Sequence, residues 1–119
     1  MAYLLLVIEH PDERRDAGPD EGRRRYERMM RYGEELARQG VLTAAQSLAG
    51  PASGTRIRKR NGRDMVVDGP FAEAKEIVGG FFLLDVESRD EALALAAKCP
   101  AAEWSTLELR ALGPCYEDG

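Results

Sequence analysis

Apolar and polar positions follow different rhythms along this chain, and each change of rhythm marks an element. Tyr3 to Ile8 is an unbroken apolar run closed by Glu9-His10-Pro11, which suits a strand buried on both faces. From Gly18-Pro19 the period lengthens. Asp20 and Glu21 follow, and Tyr26, Met29, Met30, Gly33, Leu36 and Ala37 recur at helical spacing up to Gly40, predicting a helix with proline in its first turn. The opposite side carries Arg24, Arg28, Arg31, Glu35 and Arg38, the composition of a solvated face. Val41 to Leu48 reads as a second strand that ends before Gly50-Pro51. Thr55–Arg60 and Arg63–Val67 flank Asn61-Gly62, a pair that supplies the positive φ angles of a two-residue hairpin turn. Ile77 to Val86 is a further strand, apolar on both faces after Gly79-Gly80. Ser88-Arg89-Asp90-Glu91 is a capping box that opens a second helix, filled by Ala92, Leu93, Leu95, Ala96 and Ala97 and stopped by Pro100. Thr106 to Leu112 alternates Leu107, Leu109 and Ala111 against Thr106, Glu108 and Arg110, the pattern of a last strand.

The order strand, helix, strand, hairpin, strand, helix, strand predicts an α+β fold of ferredoxin-like plan with an inserted hairpin, one domain over residues 1–119. Two helices cover one face of such a sheet. The first and fifth strands carry large apolar residues for both faces, so the open face calls for a second copy of the chain, a homodimer with its sheets facing.

Composition adds mainly exclusions. A chain of 119 residues holds one core. Lys and Arg number 17 against 21 Asp and Glu, a net charge of −4, so direct nucleic-acid binding is not expected despite the local basicity of Arg56, Arg58, Lys59, Arg60 and Arg63. Those charges guard an exposed hairpin edge, and no aromatics interleave with them to stack on bases. Cys99 and Cys115 lack C-x-x-C spacing, the amino-terminal apolar run lacks the flanks of a secretory signal, and no apolar stretch approaches the ~18 residues of a membrane span. A cytoplasmic protein with reduced thiols is the expectation. One histidine and two separated cysteines argue against a zinc site. Neither a nucleophile elbow nor a phosphate-binding loop is present, and no cofactor is implied.

Candidate chemistry gathers in Asp68-Gly69-Pro70-Phe71-Ala72-Glu73-Ala74-Lys75-Glu76-Ile77-Val78-Gly79-Gly80-Phe81-Phe82. Pro70 lacks the N–H that an Asx-turn would offer Asp68, so Asp68 either caps the turn through the Phe71 amide or projects toward a ligand as a proton-transfer group. Phe71 is either a plug at the loop base or a ligand contact. Glu73, Lys75 and Glu76 are spaced for surface pairing, with Lys75 and Glu76 also candidate binding residues. Gly79-Gly80 at the head of a strand implies a bulge or a close approach, by a ligand or by a facing subunit. Glu108 and Arg110 share one face of the last strand, opposite its leucines, and point toward the inter-sheet space. They form either a structural pair or, with Asp68, a polar cleft suited to acid–base work. His10 is either a strand terminator or a general base.

Taken together, Asp68-Gly69-Pro70-Phe71-Ala72-Glu73, Lys75-Glu76, Gly79-Gly80-Phe81-Phe82, Asp85, Asp90-Glu91-Ala92 and Leu107-Glu108-Leu109-Arg110 resemble the YCII-related family, in particular its DGPF branch. The resemblance spans nearly the whole chain. It implies a dimeric α/β barrel of ferredoxin-like subunits, an enzymatic role proposed through an acidic residue in the barrel cleft, and an association of some relatives with sigma factors. The family's signature falls on Asp68, Gly69, Pro70, Phe71, Glu73, Lys75, Glu76, Gly79 and Gly80. Ala74 stands where many relatives carry a hydroxyl, and other branches pair a histidine with an aspartate, for which His10 is the only histidine available here. The leading expectation is a dimeric small-molecule-binding protein, an enzyme of lyase or isomerase type, in which Asp68 exchanges a proton with a small organic ligand held between Phe71, Phe82 and Arg110. The rival is a regulatory module that contacts a partner such as a sigma factor through its basic hairpin and Arg-rich helix face.

Overall fold

The computed structural model describes residues 1–116. Strand β1 (Ala2–Glu9), helix α1 (Glu13–Arg38), strands β2 (Leu42–Ser47), β3 (Thr55–Arg60), β4 (Arg63–Asp68) and β5 (Ile77–Asp85), helix α2 (Arg89–Ala97) and strand β6 (Thr106–Ala111) follow in that order. A four-stranded antiparallel sheet runs β2-β5-β1-β6, and β3-β4 form a separate two-stranded sheet. With the hairpin set aside, that strand order is ferredoxin-like, as the pattern predicts.

Alternation decides what the sheet buries. Tyr3, Leu5 and Val7 of β1 face the helices, as do Phe82 and Leu84 of β5, and the register sets Leu5 beside both Phe82 and Leu109. Leu36 of α1 and Ala92, Leu95 and Ala96 of α2 close over them. Tyr32 meets Phe82 edge-on at 5.1 Å and donates its hydroxyl to the Leu95 carbonyl at 2.8 Å, which lets a phenol enter the core without a stranded O–H. Full burial of one such large side chain stabilises the fold by about 1.5–3 kcal/mol.

The open face differs from the expectation of strands buried on both sides. Leu4, Leu6 and Ile8, with Phe81 and Leu83 beside them, are only half-buried in the single chain. The molecule is 18 Å across its thinnest direction, the depth of one sheet and one helix layer.

Local signals fared differently. Ser88 Oγ accepts from the Glu91 amide at 3.1 Å, and Glu91 reaches the Glu87 amide rather than that of Ser88, so the capping box forms one residue wide of its usual partner. Asn61 and Gly62 both take positive φ, 53° and 76°, as the hairpin turn requires. Helix α1 starts earlier than its proline suggests. A first turn begins at Glu13, Gly18 breaks the helical path with φ 83° and ψ 167°, and Pro19 restarts it. The inward face is also rotated: Tyr32 and Leu36 are the buried residues, whereas Tyr26, Met30 and Ala37 stay exposed. Cys99 is buried and Cys115 exposed, both free thiols.

Candidate functional site

Asp68, Phe71, Phe82, Glu108 and Arg110, singled out in the sequence, do not converge on one site. Asp68 ends β4, is exposed, and accepts the Thr55 hydroxyl at 2.9 Å across the hairpin instead of the Phe71 amide. Phe71 is half-buried beside it, under the Arg56 guanidinium at 4.0 Å from the ring centre. Between them Gly69 donates to the Gly54 carbonyl at 2.8 Å, and a Cβ on Gly69 would lie 2.0 Å from the Pro51 carbonyl oxygen. Glycine is required there by the close approach of the two backbones. Phe82 and Arg110 cannot hold one ligand within a chain. Phe82 faces the helices, while Arg110 and Glu108 line the open face beside Leu4 and Leu6. Pleating forces this, because residues of opposite parity on paired strands lie on opposite sides of the sheet.

A different carboxylate lines two cavities of the molecule. Carrying the alternation of Tyr3, Leu5 and Val7 two residues further reaches Glu9, which is 7% exposed and the one buried charged residue among those described. Its Oε1 lies 2.7 Å from Arg14 Nη2. Arg14 also donates to two carbonyls, of Leu48 at 2.7 Å and of Gly79 at 3.2 Å. Gly79 admits this arrangement, since a Cβ there would fall 2.3 Å from Oε1. The paired glycines therefore make room for the chain itself: Gly79 for Glu9, and Gly80 for the Gln46 carbonyl of the neighbouring strand, 2.9 Å from where a Cβ would stand. Burial pushes the Glu9 carboxyl above its ordinary value, the Arg14 charge opposes that, and the negative charge of Glu13 adds to the rise.

Glu9 separates two cavities, and lines both. The larger, about 970 Å³, is a cleft between α1 and the β2-β5 side of the sheet. Tyr26, Met29, Met30, Ala37, Leu42, Ala45 and Phe82 make it largely apolar, with Arg14, Arg15 and Arg25 toward the Glu9 end of the helix. The smaller, about 400 Å³, is polar, and it gathers three residues named from sequence, His10, Lys75 and Glu76, with Glu13, Glu103 and Ser105. Asp68 lines neither. In the polar cavity Ser105 donates to Glu13 at 2.6 Å, and His10 Nδ1 accepts the Asp12 amide at 3.1 Å. A neutral His10 therefore carries its proton on Nε2. Trp104 lines both cavities, with the Arg25 guanidinium 5.0 Å and that of Arg28 5.3 Å from its ring centre. No cluster of metal-ligating side chains occurs among the described residues.

The YCII-related domain model matches residues 1–114. The chain belongs to the YCII-related family. A curated relative, "Uncharacterized protein R00369" of Rhizobium meliloti (strain 1021), is 38% identical to this YCII-related protein over 84 residues, which cover 67% of this chain and 68% of that one. Among solved structures, the 5-chloro-2-hydroxyhydroquinone dehydrochlorinase TftG of Burkholderia phenoliruptrix AC1100, in complex with 2,5-dihydroxybenzoquinone, aligns with a TM-score of 0.58 at 16% identity. The alignment covers 95% of this chain and 94% of that one, a likeness of fold. No helix among the described residues is long and apolar enough to cross a membrane.

Proposed function

We propose that this YCII-related protein is a small-molecule-binding enzyme of lyase or isomerase type, and that its proton-transfer group is the carboxyl of Glu9 rather than that of Asp68. One observation carries the reading: a carboxylate 7% exposed, with the Arg14 guanidinium 2.7 Å from it, lines both an apolar cleft and a polar cavity. A carboxyl that burial holds above its ordinary value, and that lines two cavities, is suited to take and return a proton. His10 and the Ser105–Glu13 pair in the polar cavity give that proton a route to water. That the structural neighbour is a dehydrochlorinase supports an enzyme on this fold. The test is a thermal-shift screen of small organic acids, phenols and enols on wild type, Glu9→Gln and Asp68→Asn. Stabilisation lost in Glu9→Gln and kept in Asp68→Asn is expected; the reverse would return the role to Asp68.

The working unit in this reading is a homodimer. Half-buried Leu4, Leu6, Ile8, Phe81 and Leu83 form a continuous apolar face with Glu108 and Arg110 at its β6 side, and a second copy would cover it. Sedimentation of Leu6→Arg as a monomer, against a wild-type dimer at micromolar concentration, is the expected result. A monomeric wild type would remove the facing-sheet arrangement.

The hairpin favours a second reading, a regulatory module bound to a protein partner such as a sigma factor. Every residue of β3 and β4 is exposed, Ile57, Met65, Val66 and Val67 among them, beside Arg56, Arg58 and Arg60. Neutralising Arg56, Arg58 and Arg60 leaves ligand stabilisation unchanged if the Glu9 reading is right, and abolishes partner binding if the second is.

A further inference from the structure

We infer that one face of the β3-β4 hairpin docks an acidic protein segment in extended conformation, added as a strand along β3 with a carboxylate at every second residue. This rests on the second reading above, names the face and the partner's chemistry, and is independent of Glu9.

The register sorts the hairpin's charges onto two faces. Thr55, Ile57 and Lys59 lie opposite Asp68, Val66 and Asp64. Everything on that side is matched: Thr55 donates to Asp68 at 2.9 Å, Ile57 faces Val66, and Lys59 donates to Asp64 at 2.6 Å. On the other side Arg56, Arg58 and Arg60 lie opposite Val67, Met65 and Arg63. All four arginines are exposed, and none has a carboxylate partner among the described residues. Arg60 and Arg63 face each other directly across the turn, an arrangement that like-charge repulsion disfavours. Both aspartates of the hairpin belong to the opposite face, so nothing within the hairpin answers that repulsion. An anion from outside relieves it. The Arg-rich face of α1 differs, because Arg23, Arg24, Arg25, Arg28 and Arg38 have Asp20, Glu21, Glu103 and Glu35 as partners in their own chain.

Guanidiniums bind carboxylates through paired N–H donors, and a row of them calls for a row of acids. A protein segment suits this face better than a nucleic acid. Met65 and Val67 stand among the arginines and offer apolar contact. Phe71 is covered by the Arg56 guanidinium, 4.0 Å from its ring centre, which leaves no ring for a base to stack on. Residues 55–68 carry +3 in a chain of −4, so the remainder stands at −7 and repels a long polyanion. A segment matching the six residues of β3 spans ~20 Å and meets the hairpin alone.

Strand addition sets the acidic spacing. Among the described residues β3 and β4 pair only with each other, so the outer N–H and C=O groups of β3, which holds three of the four arginines, are open to a further strand. Side chains opposite Arg56, Arg58 and Arg60 on that strand are two residues apart and share the arginine face.

Fluorescence anisotropy of labelled hexapeptides on the full chain tests the inference. The probes are a peptide alternating Glu with Val, its block isomer with three Glu before three Val, and an alternating Gln and Val peptide. The alternating acidic peptide is expected to bind about tenfold more tightly than the other two, and to weaken about tenfold in Arg58→Gln and in about 0.5 M NaCl, with no change in Lys59→Gln on the opposite face. Arg63→Glu, which sets a carboxylate opposite Arg60, is expected to slow amide exchange in β3 and β4 and to abolish peptide binding. Equal binding of the Glu and Gln peptides overturns the acidic class and leaves the hairpin as a partner surface. Equal binding of the alternating and block peptides overturns strand addition, and tighter binding of single-stranded oligothymidylate overturns the protein partner. Faster exchange in Arg63→Glu overturns the repulsion from which the face is argued. No binding of any of the three peptides overturns both the inference and the second reading.

Discussion

Glu9 and Asp68 both close a strand, and they have opposite surroundings. Glu9 ends the central strand β1, continues its helix-facing side and is shut in by Arg14 and Gly79. Asp68 ends a strand of a hairpin whose residues are all exposed, and a single hydroxyl from Thr55 occupies it. The difference teaches that a carboxylate's chemistry follows from the parity of its position and from the layer above it, more than from the oddness of the sequence around it. The unusual Asp-Gly-Pro-Phe turn builds the base of the hairpin, whereas a plain strand ending holds the buried charge.

The strongest way to break the contrast is to leave Glu9 without its counter-charge. Arg14→Met should destabilise the fold by about 1–3 kcal/mol in urea titrations at pH 8, below the ~3–5 of a fully buried pair because Arg14 is itself 45% exposed. The loss should shrink as the pH is lowered, because a protonated Glu9 needs no counter-charge. At the other carboxylate, Gly69→Ala pushes a Cβ against the Pro51 carbonyl and should cost about 1–3 kcal/mol. That cost should appear as faster hydrogen exchange in the hairpin, with the exchange of β1 and β5 amides unchanged. Glu9→Gln sharpens the comparison through pH. The folded state keeps the Glu9 proton to higher pH than the unfolded chain, whose value is near 4.5. Stability from this group is therefore fully present below that value and declines as pH rises toward the folded one. The melting temperature of Glu9→Gln should fall less steeply than that of wild type over this window; parallel profiles would mean that Glu9 is as well solvated as a surface carboxylate. Smallest is Asp68→Asn, which weakens one exposed hydrogen bond and should change stability by no more than about 0.5–1 kcal/mol in the same titration.

Most of the fold was legible because it is written in local rhythm. The apolar run of β1, the β-period of β6, the capping residues before α2 and the Asn61-Gly62 turn each predict their element, and the order of elements yields the ferredoxin-like sheet. The facing of β5 was not legible, since a run apolar on both sides has no parity of its own; only the pairing of Leu5 with Phe82 turns that ring toward the helices and away from Arg110. The phase of α1 slipped for a related reason. Tyr32 reads as amphipathic until the Leu95 carbonyl takes its hydroxyl.

Of the candidate site, the sequence showed neighbourhoods and no roles. Lys75, Glu76 and His10 do share a cavity, and Gly79-Gly80 do mark a close approach. Glu9 was overlooked because a charge beside His10-Pro11 looks like a strand ending, although counting by twos from Tyr3 places it inside. Arg14 carried no local signal. Its role depends on contacts with Leu48 and Gly79, 34 and 65 residues away along the chain.

The hairpin has a practical consequence. The four-stranded sheet closes through β2-β5-β1-β6 without it, so residues 61–62 at its tip are a place where foreign sequence can be spliced in. A fluorophore-binding loop or an affinity epitope inserted there would ride outside the folded layer, and would make the protein a carrier whose cleft still reports through Trp104.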